Sequence, residues 1–285
     1  MTAQLPQHIV PVLAGGGTRL PAHVGVLTAL HDLNIGFDHI VGVSGGSVVA
    51  ALAAAGKNLE EMKTLFRTVN FVQFRGYSLA NLLWHGGLST GKRFEQWMDA
   101  ELAGIRFCDL EKNLHVVATD VRSGRPVVFN RANSPDLPVA RAVLYSISIP
   151  LLFPFHHHGT HVLVDGSILA EDSLFQDWAG DLTPVVCFRL RDKRIAAAHP
   201  ARKILPVADY MFMLVRTFMS TLSREYLSEA LWLNTVLIET EGLSPLEFNM
   251  SQEQKHTLFD LGYATTREYL PAKLARAGAN QAASG

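Results

Sequence analysis

The stretch Phe37-Asp38-His39-Ile40-Val41-Gly42-Val43-Ser44-Gly45-Gly46-Ser47-Val48-Val49-Ala50-Ala51-Leu52 decides how this chain is read. As far as Val43 it is a short apolar run fit for a buried strand, and from Ser47 to Ala55 it is fit for a helix. Between the two, Gly42-Val43-Ser44-Gly45-Gly46 has the GxSxG pattern, in which small residues at Gly42 and Gly46 let a sharp strand-to-helix turn pass close to its neighbours. A serine on such a turn is held out of the sheet in a strained conformation, near the positive end of the following helix, where developing negative charge is favoured. Ser44 is therefore a candidate nucleophile. The competing reading is an ordinary tight turn of an α/β protein, since short glycine motifs recur by chance. Ser47 falls one turn into the helix and reads as a capping or packing residue.

A second glycine run, Gly15-Gly16-Gly17-Thr18-Arg19, follows the strand-like Ile9-Val10-Pro11-Val12-Leu13 and precedes a helix-like segment from Ala22 to Leu33. Consecutive glycines can aim bare N–H groups at an anion, and Gly16 and Gly17 are the expected donors to the oxyanion of a tetrahedral intermediate. Losing one such donor costs about 3–4 kcal/mol of transition-state stabilisation. A nucleotide-binding loop fails on spacing. A dinucleotide fingerprint from Gly15 needs a small residue where the chain has Leu20, and a Walker loop needs Gly-Lys-Ser or Gly-Lys-Thr. An α/β-hydrolase also uses GxSxG, but after several strands and with its acid preceding its histidine. Here one strand-like segment precedes Ser44, and His156, His157, His158 and His161 all precede Asp165. Asp120 and Asp165 both end strand-like runs, so either is a candidate base. An aspartate has an ordinary pKa of about 3.9 and is ionised at neutral pH; burial raises that value and makes a better base.

In this order the motifs resemble the patatin-like phospholipases, serine lipid acyl hydrolases that work with a Ser-Asp dyad. The resemblance rests on Gly15 to Arg19, on Gly42 to Gly46 and on Asp165-Gly166. It extends to Thr119-Asp120-Val121-Arg122-Ser123-Gly124-Arg125-Pro126-Val127-Val128-Phe129 and to Ser146-Ile147-Ser148-Ile149-Pro150-Leu151-Leu152-Phe153-Pro154, and so spans residues 8 to about 173. It implies a three-layer α/β/α fold with a mostly parallel central sheet and a C-terminal helical elaboration. It selects Asp165 over Asp120 as general base and acid for Ser44. It also implies an oxyanion hole of Gly15, Gly16 and Gly17 with Arg19, supported by Gly42, Gly46 and Gly166, and chemistry that needs no metal or other cofactor. The substrates implied are fatty-acyl esters of phospholipids, lysophospholipids or related glycerolipids. An acyltransferase using the same dyad and a catalytically silent lipid-binding protein are the alternatives. The chain departs from the family pattern at Leu20-Pro21, where a glycine is usual, and in the run Ser167 to Ser173 after the Asp-Gly pair.

The rest of the sequence is compatible with this reading. A net charge of −1 with both signs interspersed excludes the basic patch of a nucleic-acid binder. Two cysteines, Cys108 and Cys187, lie outside any redox or metal spacing and suit a reducing compartment. Three adjacent histidines in a strand alternate faces, so His156-His157-His158 does not converge on one ion. Met1 to Gln7 lacks the basic start and apolar core of a signal peptide, so the expectation is cytoplasmic residence with peripheral contact at membranes. Oligomeric state is left open. Further strands are expected at Leu114–Thr119, Pro126–Phe129, His161–Val164 and Pro184–Leu190, with helices near Lys92–Leu102 and Leu137–Leu144. One acyl hydrolase domain is expected over residues 8–270, with an Ala/Gly-rich flexible tail over 271–285. The Met- and Phe-rich segment Leu205–Leu233 reads either as a core helix or as an apolar lid, and Leu79 to Trp84 and Ser89 to Met98 as candidates for the mouth of an acyl pocket.

Overall fold

The computed structural model describes residues 6–76, 78–168, 174–191, 210, 213 and 233–284. The chain is α/β, built on a mostly parallel sheet. Its strands are β1 (Val10–Ala14), β2 (His39–Val43), β3 (Asn113–Asp120), β4 (Arg125–Phe129), β5 (His156–His158), β6 (His161–Val164), β7 (Val185–Arg191) and β8 (Thr235–Glu239). The helices used below are α1 (Leu20–Asp32), α2 (Gly45–Ala54), α3 (Leu59–Thr68), α4 (Leu79–His85), α5 (Lys92–Glu101), α6 (Val139–Ser146) and the C-terminal α7 (Gln252–Ser284).

Parallel pairing runs β3-β2-β1-β7-β8, as βαβ crossovers require. Buried on both faces, β1 and, from Ile40, β2 are continuous apolar runs rather than alternating ones. The strands' side chains still divide by parity. Ile9, Leu13, Ile40, Val116 and Phe188 enter the larger core with α1, α2, α3, α6 and α7, while Val10, Val12, Val41, Val43, Val117 and Cys187 face a second core closed by Leu174 and Trp178.

The sheet brings two distant segments together at β3. Strand β4 pairs antiparallel with β3 from Val116 to Asp120 and so occupies one edge along that length. Strand β2 pairs parallel as far as Val43↔Val117, and β6 pairs antiparallel at Thr119↔Val164 and Asp120↔Leu163, so both must share the other edge. They approach from opposite ends and stop head to head. The residue after β2 is Ser44 and the residue after β6 is Asp165.

The stretch from Ala272 is a correction to the sequence reading. Instead of ending in a tail, helix α7 continues through Pro271 to Ser284. Alanine is the strongest helix former, so a composition that resembles a linker also propagates a helix already anchored upstream. The anchor is buried Leu258, Leu270 and Leu274, together with Lys255, whose Nζ donates to the carbonyls of Arg67 (3.1 Å) and Val69 (2.6 Å) at the C-terminal end of α3. Apart from Tyr210, Met213 and Leu233, the Leu205–Leu233 segment lies outside the described residues. No helix among the described residues is long and apolar enough to cross a membrane.

Candidate active site

Ser44 stands between β2 and α2 with φ 51° and ψ −131°, a positive-φ conformation that costs a non-glycine residue energy and persists only where neighbours hold it. The glycines beside it make room. A Cβ on Gly46 would lie 2.0 Å from the carbonyl oxygen of Leu13, and one on Gly42 would lie 2.4 Å from Cα of Ser47. Ser47 donates its hydroxyl to the carbonyl of Ser44 at 2.6 Å, a local bond back onto the turn rather than a helix cap.

The Ser44 hydroxyl donates to Asp165 Oδ2 at 2.7 Å, and both residues are buried. Asp165 Oδ1 accepts from the N–H of Ser167 at 2.8 Å, and its own N–H donates to the carbonyl of Ser148 at 2.9 Å. Burial pushes the Asp165 carboxyl up to about 6, against the lowering effect of the hydrogen bonds from Ser44 and Ser167. A carboxylate so raised is still mostly ionised at neutral pH and takes a serine proton more readily than an exposed aspartate. Asp120 is spent elsewhere. It accepts from Val162 N, Arg122 N and Ser123 Oγ and pairs with His161, and these partners, His161 foremost, hold its carboxyl well below the usual range.

The glycine run turns at three successive positive φ values, 69° at Gly15, 112° at Gly16 and 55° at Gly17. Only glycine adopts that sequence of conformations without strain. Space forbids a side chain as well, since a Cβ on Gly17 would lie 2.0 Å from the carbonyl oxygen of Pro245. Gly15 is not free to donate. Its N–H is bonded to the Val43 carbonyl at 3.1 Å, and its own carbonyl accepts from Gly46 N at 2.9 Å and from His23 Nε2 at 3.1 Å. A carbonyl only accepts, so Nε2 of His23 carries the proton. Burial holds that imidazole at about 4 and hence neutral. The N–H groups of Gly16 and Gly17, and that of Gly45 beside Ser44, have no protein partner among the described residues.

The resemblance put Arg19 around the oxyanion, and the structure gives its side chain different bonds. The buried guanidinium donates to the carbonyl of Gly16 (3.1 Å), to Thr240 Oγ1 (2.8 Å) and to the carbonyl of Leu243 (3.3 Å), which fixes the loop to the segment after β8. Thr18 reinforces that tie through Pro245 and Glu247. Leu20, where the family pattern has glycine, opens α1 and turns its side chain into a pocket beside Ser44. Gly166 is required because a Cβ there would meet the Val117 carbonyl at 2.1 Å.

Ser146 is a residue that sequence reasoning quoted without giving it a task. Its Oγ accepts from the N–H of Ser44 at 2.8 Å and donates to the Val117 carbonyl at 2.6 Å, wholly buried. With the Ser148 carbonyl holding Asp165 N–H, one segment at the end of α6 grips both members of the pair. No local signal marks this, because both contacts cross the fold. The histidine cluster lies apart. His156 and His158 turn toward Tyr145 and His157 toward Phe155, and among the described residues no group of three or more His, Cys, Asp or Glu is arranged to hold a metal.

A pocket opens from Ser44, Gly17 and Gly45 and is otherwise walled mostly by carbon: Phe71, Phe74, Phe94, Leu152, Phe153 and Phe248 among others. The cavity enclosed among these side chains is narrow, about 60 Å³. Of the segments read as its mouth, Phe94 contributes to the wall, whereas Leu83 and Trp84 point to solvent.

The uncharacterized protein YqhO of Bacillus subtilis is 26% identical over 287 residues, covering 92% of this chain and 98% of its own. One NTE family protein of Mycobacterium tuberculosis is 28% identical over 158 residues, 55% of this chain and 26% of its own. Among solved structures, VipD of Legionella pneumophila aligns over 95% of this chain and 67% of its own at 16% identity, with a TM-score of 0.67. ExoU, in its complex with SpcU from Pseudomonas aeruginosa, aligns over 95% of this chain and 52% of its own at 22% identity, with a TM-score of 0.55. At those identities the likeness to both is one of fold. The sequence model of the patatin-like phospholipases matches residues 12–173, more than half of the chain and the part that carries both glycine motifs and Asp165. On this match the chain belongs to the patatin-like phospholipase family, a family of lipid hydrolases.

Proposed function

We propose that residues 8–270 form one acyl hydrolase domain that cleaves fatty-acyl esters of phospholipids, lysophospholipids or related glycerolipids in two steps. Ser44 Oγ attacks the ester carbonyl while its proton passes to Asp165 Oδ2. The new C–O bond makes a tetrahedral intermediate whose oxyanion is met by the N–H groups of Gly16, Gly17 and Gly45. Collapse breaks the bond to the alcohol, which leaves with the proton from Asp165. Water then attacks the acyl-enzyme, giving its proton to Asp165, and the fatty acid departs as Ser44 regains a proton. The observation that carries this reading is the 2.7 Å bond between a strained, buried serine and a buried aspartate at the head of an apolar pocket. The pocket walls, largely aromatic and aliphatic, suit an acyl chain.

Hydrolysis of a panel of phospholipids, lysophospholipids and neutral glycerolipids, with products identified by mass spectrometry, tests the assignment. Released fatty acid supports it, and transfer of the acyl group to added alcohols in preference to water reassigns the protein as a transferase. The pH profile is fixed in sign by the raised Asp165 carboxyl. The ionised form is the base, so kcat/KM rises with pH up to about 6 and then levels, with pH 5 about tenfold below pH 7. A profile flat from pH 5 to 7 removes Asp165 from the role of base.

Ser146→Ala is expected to lower kcat about ten- to a hundredfold with KM little changed. It strips the N–H of Ser44 and the carbonyl of Val117 of a buried partner, so stability falls by about 1–3 kcal/mol. Steady-state kinetics beside thermal unfolding checks both effects; an unaltered kcat with a lowered Tm would leave Ser146 a purely structural residue.

A further inference from the structure

Residues 75–76 and 78–88 lead away from the wall of the pocket and back to it. The Phe74 carbonyl accepts from Ser89 Oγ at 3.1 Å, and the Ser78 N–H donates to the Leu88 carbonyl at 3.2 Å, so the excursion closes on itself at its base. On the return, the N–H groups of Leu88 and Ser89 donate to the carbonyls of Leu151 and Leu152, each at 2.9 Å. Phe74 and Leu152 are themselves pocket wall, so the base of this flap and the pocket are one piece of structure.

The flap carries α4, with Ser78 Oγ accepting from Asn81 N at one end and Gly86 in a left-handed turn at the other. Near the end of that helix Leu83 and Trp84 are 84% and 83% exposed, whereas the neighbouring phenylalanines of the pocket wall are buried. Phe155 is half exposed beside Gly86, its ring lying 3.1 Å from where a Cβ on that glycine would stand. From Val69 to Phe94 the sequence contains no aspartate or glutamate but holds Arg75, Lys92 and Arg93. Lys92 and Arg93 are exposed at the start of α5, after the flap's return, and the Arg75 guanidinium lies over the Phe248 ring of the pocket wall at 5.8 Å. In a chain of net charge −1 this excess of cations is local.

We propose that the flap docks the pocket mouth onto an anionic phospholipid bilayer. Leu83, Trp84 and Phe155 enter the boundary between headgroups and acyl chains, and Lys92 and Arg93 face the headgroups. A tryptophan beside a leucine at the tip of a surface excursion matches that boundary, which accommodates a large ring with one polar edge. The cations at this border match its negative potential. The inference rests on the reading of the pocket as an acyl site, for which docking shortens the path of a lipid chain from bilayer to Ser44.

The test separates docking from catalysis by using Ser44→Ala protein, which still presents the flap. Co-sedimentation is measured with vesicles of phosphatidylcholine alone and of phosphatidylcholine mixed with phosphatidylserine. Expected is tighter binding to the mixed vesicles, weakening as salt rises. Adding Leu83→Ser and Trp84→Ser lowers the partition at least about tenfold. In the otherwise wild-type enzyme, the same two substitutions leave hydrolysis of a water-soluble butyrate ester within about twofold and depress hydrolysis of vesicle lipid. Vesicle binding that persists without any soluble-ester hydrolysis supports the docking surface and overturns the hydrolase reading instead. Binding to neither vesicle, or binding indifferent to the double substitution, overturns the proposal. A double substitution that alters only the molecular mass in gel filtration reassigns the surface to contact between protein chains.

Discussion

Replacing Ser44 with alanine is expected to abolish acyl-ester turnover, by about 10⁴-fold or more, because no other group takes over as the attacking atom. Covalent labelling by a fluorophosphonate disappears with it. The fold survives, since the hydroxyl's one hydrogen bond goes to Asp165, and the contacts that hold the strained turn run through the backbone of residue 44 and through Ser146. Thermal unfolding within a few degrees of the wild type is the control. Labelling also separates this reading from that of a silent lipid binder: a folded wild-type protein that resists the reagent ends the case for Ser44 as nucleophile. Loss of the Ser44 hydroxyl removes a hydrogen bond that lowers the Asp165 pKa, so in the variant the carboxyl titrates higher still.

Asp165→Asn is expected to cost about 10²–10⁴-fold in kcat, the usual span for removing a positioned general base, with the reactivity of Ser44 toward fluorophosphonates falling in parallel. Its effect on stability has the opposite sign. The folded-state pKa is raised to about 6 from an ordinary 3.8, so the native protein holds this proton more tightly than the unfolded chain does. The favourable contribution of the protonated form is complete below the unfolded value and is lost as pH rises through about 6. At pH 8 the wild type carries a buried charge that asparagine lacks. The variant should then be more stable by on the order of 1–3 kcal/mol, an advantage that shrinks toward pH 4. Denaturant melts at both pH values measure it. A variant less stable at pH 8 than at pH 4 relative to wild type contradicts the buried-charge account.

The local pieces of the site were legible because each obeys a short-range rule. Apolar runs ending at Leu13 and Val43, glycines where the backbone turns or passes closely, and a serine between strand and helix are all encoded within about ten residues. Even the departures were visible as departures, although Leu20 acquires its meaning only as a pocket wall. The oxyanion loop shows the limit. The sequence nominated Gly15, Gly16, Gly17 and Arg19 together, while the folded chain commits the N–H of Gly15 to Val43 and the Arg19 guanidinium to Gly16, Thr240 and Leu243. The Ala-rich C-terminus was misread for a similar reason, because helix propagation from an anchored segment depends on a docking partner no local window contains.

By itself the sequence determined the α/β class, the elbow at Ser44 and the glycine loop, since strand and helix periodicity and glycine's steric freedom act on neighbours in the chain. Which aspartate faces the serine was a tertiary decision. Asp120 and Asp165 each end a strand, and they differ in what the edge of β3 puts beside them. There β2 and β6 meet end to end, 121 residues apart in the chain, with Ser146 at the junction. Burial at that junction sets the Asp165 pKa, and burial belongs to the assembled sheet rather than to any segment of it.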